Sequence, residues 1–186
     1  MGIDRAVRRA VFLDRDGVIN RAILRDGRPH PPARIEDLEL LSGAAGALER
    51  LRAAGFRLVV VTNQPDVARG TQRADVVQAM HAKIASVLPI DDFRVCFHDD
   101  ADACACRKPK PGLLLAAAAD DGLDLAASVM VGDRWRDVEA GRRAGCRTAF
   151  IDYGYDERRP IAPDVVVASL SEAANWILRR TGNDLT

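Results

Sequence analysis

Six short runs rich in apolar residues punctuate this chain, and several are apolar at successive positions rather than at alternate ones. They are Ala10–Leu13, Leu58–Val61, Arg94–Phe97, Ser128–Val131, Thr148–Ile151 and Val165–Val167. A strand that is apolar on both faces must be covered on both faces, as in a parallel sheet lying between two layers of helices. Segments with helical spacing separate the runs. They are Ser42–Ala54 with Gly55 as its C-cap, about Arg73–Leu88, Pro111 to near Gly122, the stretch from Asp133 to Gly145, and a last one opening at Ser169 in a Ser-Leu-Ser-Glu capping box and ending before Gly182. Strand and helix alternating in this way predict a three-layer, doubly wound α/β sandwich. With 186 residues, 48% of them hydrophobic, the chain has material for one core, so a single domain over residues 1–186 is expected. Asp26–Pro32 and Asp152–Pro163 read as loops, and Gly182–Thr186 as a frayed tail.

Charge narrows the function. The 27 Lys+Arg cancel the 27 Asp+Glu, so the overall basic balance of a nucleic-acid-binding domain is missing, while a local basic pocket for a phosphorylated ligand remains open. The basic start MGIDRAVRRA is not followed by the apolar stretch of a signal peptide, and Leu113–Ala119 is far too short to span a bilayer. The expectation is a cytoplasmic protein with no membrane and no nucleic-acid partner. No amphipathic surplus is left once the sandwich is built, so a monomer is expected.

Ligands of open α/β sheets sit beyond the carboxyl ends of the strands. The first strand ends in Asp14, the second in Thr62-Asn63, the third in His98-Asp99 and the fourth in Gly132-Asp133. Acids, a hydroxyl and amides delivered to one edge by four independent strands look like a site. In AVFLDRDGVIN the two aspartates stand at i and i+2, and Gly17 allows a sharp turn. Taken alone, an Asp-x-Asp is as readily an acid-rich turn. In its functional reading Asp14 attacks phosphorus to give an acyl phosphate. Asp16 then protonates the leaving oxygen and later deprotonates water. Attack by a carboxylate on a phosphate dianion needs its charge offset, a task suited to magnesium held by oxygen ligands.

DRDGVIN, VVTNQ (Val60–Gln64), RKPKPG (Arg107–Gly112) and MVGDRWRD (Met130–Asp137) resemble the four ordered motifs of the haloacid dehalogenase (HAD) superfamily. Within it they are most similar to the small phosphatases of heptose 1,7-bisphosphate and of histidinol phosphate. The resemblance runs from about Val11 to Ser169. It implies a Rossmann-like fold and a magnesium-dependent phosphatase acting on a small phosphorylated metabolite, a sugar phosphomonoester, through an aspartyl-phosphate. It implies Asp14 as nucleophile and Mg2+ ligand, Asp16 as general acid/base with its backbone carbonyl on the metal, and Asp133 as a further Mg2+ ligand. Thr62 would bond the phosphoryl group and Lys108 would steady its charge. Asn63, Arg107 and Arg134 would contact substrate, and Asp137 would stand outside the ligand set. Such groups position reactants and offset negative charge, which is what phosphoryl transfer requires.

Cys96, His98, Cys104 and Cys106 fall within about a dozen residues. Three thiolates and an imidazole make a closed tetrahedral zinc site, so Zn2+ would be structural here; a redox or metal-free thiol cluster is the alternative. The resembled phosphatases carry a similar zinc loop, commonly with Cys-Pro-His where this chain has Cys-Phe-His. The loop returns directly into Arg107-Lys108, so zinc would fix two cations of the site. About 45 residues separate the first three motifs, already used by a helix and a strand, so no cap domain fits. The rim would be loops, among them Arg21–Asp37, from which Arg21, Arg25 and Arg28 could grip a second phosphate. Histidinol-phosphate phosphatase, a DNA 3′-phosphatase and a non-catalytic zinc-stabilised binding module stand as alternative functions.

Overall fold

A computed structural model describes residues 8–183. The basic N-terminal stretch before Arg8 and residues 184–186 of the expected tail lie outside them. In chain order the elements are β1 (Ala10–Leu13), β2 (Ile23–Arg25), β3 (Arg28–His30), α1 (Ala44–Ala53), β4 (Arg57–Asn63), α2 (Ala74–Val87), β5 (Asp92–Cys96), α3 (Gly112–Asp121), β6 (Val129–Gly132), α4 (Trp135–Ala144), β7 (Arg147–Ile151), β8 (Val165–Val167) and α5 (Leu170–Asn183). Among the described residues one six-stranded sheet runs in the order β5-β4-β1-β6-β7-β8, parallel throughout. No helix among them is long and apolar enough to cross a membrane.

The continuous apolar runs are strands buried on both faces, as expected. In β1, Val11 and Leu13 point into one core with Leu48, Leu51, Met80 and Ile177. Ala10 and Phe12 point into the other with Leu114, Ala117 and Ala140. Side chains alternate across a strand, so α1, α2 and α5 cover one face and α3 and α4 the other. The chain moves outward from β1 through β4 to β5, then returns to β1's other side for β6. The order therefore reverses at β1 and β6, and a crevice opens there beyond the strand ends.

Three expectations are corrected. The strand placed at Arg94–Phe97 is Asp92–Cys96, so it ends on a cysteine and His98-Asp99 lie in the loop beyond. The last helix does not stop before Gly182 but continues to Asn183. The segment read as a plain loop, Asp26–Pro32, is part of a hairpin, with Ile23 facing His30 and Arg25 facing Arg28. Its two-residue turn, Asp26-Gly27, holds both residues in the left-handed region, at φ 50° and 72°, the geometry that matches strand twist. Pro29 faces Leu24, one pair beyond the hydrogen-bonded pair that closes the turn, where its missing N–H is not needed.

Candidate active site

β1 ends at Leu13, and the Asp14 amide donates to the Val131 carbonyl at 3.0 Å, tying the turn to β6. The amides of Ile19 and Asn20 then donate to the Arg15 carbonyl at 2.8 and 3.1 Å, winding the chain tightly beyond the aspartates. Gly17 sits at φ +88°, and a Cβ there would fall 1.9 Å from Asp133 Oδ2. Only glycine lets the loops after β1 and β6 approach so closely.

Lys108 joins the pieces. Its side chain is 2% exposed, and its Nζ lies 2.9 Å from Asp14 Oδ1 and 2.6 Å from Asp137 Oδ1. It also donates to the Val61 carbonyl at 2.8 Å, so its three protons are all taken. Burial opposes the charge, but Asp137 and Asp14 outweigh it and hold the lysine above its usual pKa. Asn63 positions this lysine: its Nδ2 donates to the Lys108 carbonyl and its Oδ1 accepts from the Lys108 amide, both at 3.0 Å. Asp137, expected outside the ligand set, contacts Lys108 directly, and its Oδ2 caps α4 by accepting from the Arg134 amide at 3.0 Å.

The carboxylate oxygens of Asp14, Asp133 and Asp137 come within 4.8 Å of one another. Burial pushes the Asp14 carboxyl up to about 6, with Lys108 pulling against the shift and Asp137 and Asp16 adding to it. Burial, then the charges of Asp14 and Asp137, raise Asp133 as well. Neither buried oxygen of Asp133 accepts a hydrogen bond of ordinary geometry, although the Tyr155 hydroxyl is close enough to interact with it. Buried carboxylates crowded together, two of their oxygens unsatisfied, are a donor set that a divalent cation fits.

The carbonyl edge opens into a cleft of about 360 Å³ whose walls include Asp14, Asp16, Thr62, Asn63, Arg107, Lys108, Arg134 and Asp137. Asp133 lies behind this wall, fully buried. At the rim, Arg107 pairs with Asp100 at 2.8 Å and Arg134 pairs with Glu157. Of the three arginines singled out in the first loop, Arg28 lines the cleft, Arg25 lies in an adjoining cavity and Arg21 is paired with Glu39. The hairpin tip reaches across to the loop after β7, where the Asp156 amide donates to the Gly27 carbonyl at 2.9 Å.

Residues not singled out in the sequence complete the site. Gln64 Nε2 donates to Thr62 Oγ1 and to Asp16 Oδ2, both at 2.9 Å. Its two-residue offset from Thr62 could have revealed it, since such positions share one side of a strand. Arg15 and Asn20 also hold Asp16; no local pattern marks them.

A second cluster flanks the lysine. Cys96, His98, Cys104 and Cys106 bring their ligand atoms within 4.8 Å of one another. The sulfur separations are 3.1, 3.4 and 3.7 Å; the longest matches the roughly 3.8 Å edge of a tetrahedron with Zn–S bonds of about 2.3 Å, and the other two are shorter. His98 Nδ1 stands 3.3 Å from Cys106 and 3.6 Å from Cys96. All four cysteines of the chain are free thiols. Arg69 ties this loop to the rim through Asp99 at 2.8 Å and Asp66 at 3.3 Å.

Buried carboxylates and a lysine thus meet at one edge of a doubly wound sheet, and the comparisons with known proteins place the chain among HAD-type phosphatases. The family model described as HAD-hydrolase-like matches residues 105–173. The chain is 36% identical, over 91% of its length and 95% of the relative's, to a D-glycero-D-manno-heptose-1,7-bisphosphate 7-phosphatase of Thermosynechococcus vestitus. It is 35% identical, over 91% and 87%, to the D-glycero-beta-D-manno-heptose-1,7-bisphosphate 7-phosphatase of Escherichia coli K12. A crystal structure of the D,D-heptose 1,7-bisphosphate phosphatase from B. bronchiseptica, in complex with magnesium and phosphate, superposes with a TM-score of 0.76 at 30% identity, covering 94% of this chain and 99% of that one. The chain belongs to the HAD-like hydrolase family.

Proposed function

We propose that this phosphatase removes the 7-phosphate of D-glycero-D-manno-heptose 1,7-bisphosphate, with Asp14 as nucleophile. The observation that carries the chemistry is Lys108, buried between Asp14 and Asp137 at the cleft wall. Relatives at about 35% identity over 91% of the chain support the sugar. Asp14 attacks phosphorus in line and the phosphoryl group passes to its carboxylate as the P–O bond to the sugar breaks. Asp16 gives its proton to the leaving sugar oxygen, then takes one from the water that attacks the aspartyl-phosphate. Thr62 Oγ1 and nearby backbone amides hold the phosphoryl oxygens. Lys108 keeps Asp14 aimed and offsets the charge that builds up. Arg107 and Arg134, at the rim, contact the rest of the substrate.

Asp14, Asp133 and the Asp16 carbonyl would hold Mg2+, which supplies positive charge against the phosphoryl oxygens when bound. The relative in complex with magnesium and phosphate supports this metal. Zn2+ at Cys96, His98, Cys104 and Cys106 is structural, since a closed four-ligand shell leaves no place for substrate. Residues 1–186 act as one domain and as a monomer. No disulfide joins the four cysteines, which suits the reducing cytoplasm.

Steady-state kcat/KM on heptose bisphosphate, histidinol phosphate and a DNA 3′-phosphate tests the reading. The heptose should lead by at least an order of magnitude, and Asp14→Asn should abolish turnover of all three. A preference for histidinol phosphate would replace the sugar but keep the chemistry. Activity surviving in Asp14→Asn would remove the chemistry.

A further inference from the structure

Arg15 stands between the two aspartates in sequence, and its side chain is wholly buried. A guanidinium taken out of water is stable only when its donors are engaged. Here Nη2 reaches both oxygens of Asp16, at 3.0 and 2.9 Å, and Nε reaches Oδ1 at 3.2 Å. Nη1 lies 3.2 Å from His81 Nε2. Arginine has no acceptor, so Nε2 accepts and the neutral ring carries its proton on Nδ1. His81 in turn stacks on Phe93 of β5, centroids 4.7 Å apart and planes 18° from parallel. Asn20 Nδ2 and Gln64 Nε2, each at 2.9 Å, complete the grip on Asp16. The grip comes from the interior, while Asp16 keeps 15% of its side chain exposed at the cleft wall.

Arg15 and His81 have no part in the mechanism above, and neither lies within reach of a substrate: His81 does not line the cleft and Arg15 is inaccessible. We propose that Arg15, seated on His81, is a positioning residue that fixes the orientation of the Asp16 carboxylate for proton transfer to the leaving group. The inference rests on the reading of Asp16 as the acid. An aspartate beside a turn has several side-chain rotamers open to it, and a displacement of about 1 Å can cost roughly 100-fold in rate. The arginine fork selects one orientation by gripping both oxygens. A lysine would keep the charge and lose the fork. His81 holds the guanidinium from the other end, and Phe93 holds His81.

Leaving groups separate this role from a merely structural one. A sugar alkoxide needs a proton to depart, whereas p-nitrophenolate departs without one. Single-turnover release of the leaving group is measured for a hexose 6-phosphate and for p-nitrophenyl phosphate, with magnesium, in Arg15→Lys, His81→Leu, His81→Gln and Asp16→Asn. Arg15→Lys and His81→Leu should lose about 10- to 100-fold more rate on the sugar phosphate than on the aryl phosphate. His81→Gln, which keeps an acceptor for Nη1, should restore most of that loss. Equal losses on both substrates, or no advantage of Gln over Leu, would overturn the proposal. Should Arg15→Lys fail to fold, the two His81 variants make the same comparison. Asp16→Asn separates the levels. If it lacks the leaving-group asymmetry, the assignment of the acid fails and this inference falls with it. If it shows the asymmetry and the Arg15 and His81 variants do not, the inference alone falls.

Discussion

At the scale of single residues, Lys108 does more than any other. It satisfies a carbonyl of β4, the proposed nucleophile and the capping aspartate of α4 at once. Lys108→Met keeps much of its volume and removes all three contacts, leaving two buried carboxylates facing each other. We expect kcat to fall about 100- to 1,000-fold, measured on p-nitrophenyl phosphate with magnesium, with a lowered midpoint of thermal unfolding. His81 carries a different signature. Burial, with the Arg15 charge behind it, brings its pKa down from 6.5 to about 4. The unfolded chain takes up a proton below 6.5, while the folded one does not until about 4. This group's contribution to stability is therefore fully present above 6.5 and is lost as pH falls from there to 4, on the order of 3 kcal/mol in all. Denaturant unfolding at pH 7.5 and pH 5 should show wild type losing about 2 kcal/mol more than His81→Gln over that interval. Equal losses would mean that the imidazole titrates normally in the folded protein.

At the scale of elements, some parts are legible in the sequence and others are not, for physical reasons. β1 reads correctly to the residue because four consecutive apolar positions stop abruptly at an acid. β5 slips by two because Asp92 and Phe93 pair with β4 while lying only half-buried at the sheet edge, so no apolar run marks them. The hairpin β2–β3 hides behind Pro29 and its arginines, whose composition suggests a loop. Its Asp-Gly turn was the available signal. The cleft wall divides in the same way. Strand-end acids follow from the pattern, whereas Gln64 holding Asp16, or Lys108 meeting Asp137, depends on how separate strands come together. Gly27→Val places a branched residue at φ +72° with its Cβ about 3.1 Å from Asp156 Cβ, which strains the hairpin tip by roughly 1–2 kcal/mol. KM for the sugar bisphosphate should rise while the kcat for p-nitrophenyl phosphate holds. Stripping zinc with a strong chelator and adding magnesium back should abolish activity and lower the unfolding midpoint, because Cys106 leads directly into Arg107-Lys108. Cys104→Ser that binds no zinc yet keeps full activity would contradict this.

At the scale of the whole molecule, the reversal of strand order at β1 and β6 brings together residues from positions 14 to 137. A single core on each face of the sheet holds them. The large exposed apolar residues among those described are Leu24 on the hairpin, Val87 at the end of α2, Leu115 on α3, Tyr153 and Ile161 in the loop after β7, and Val166 on β8. The proposed monomer predicts that sedimentation equilibrium returns the mass of one chain at micromolar concentration; a dimer mass would contradict it. Lys108 contacts one ligand cluster through Asp14 and Asp137 and follows the other by two residues in the chain, after Cys106; the two clusters differ in chemical hardness. One offers sulfur and imidazole, the other only carboxylate oxygen. On the proposed reading, cadmium, a soft ion, would be drawn to the first, and manganese, a hard one, to the second. With the metals proposed above in place, each ion would be sorted by donor chemistry, and a heavy metal would poison the scaffold without entering the proposed reaction centre.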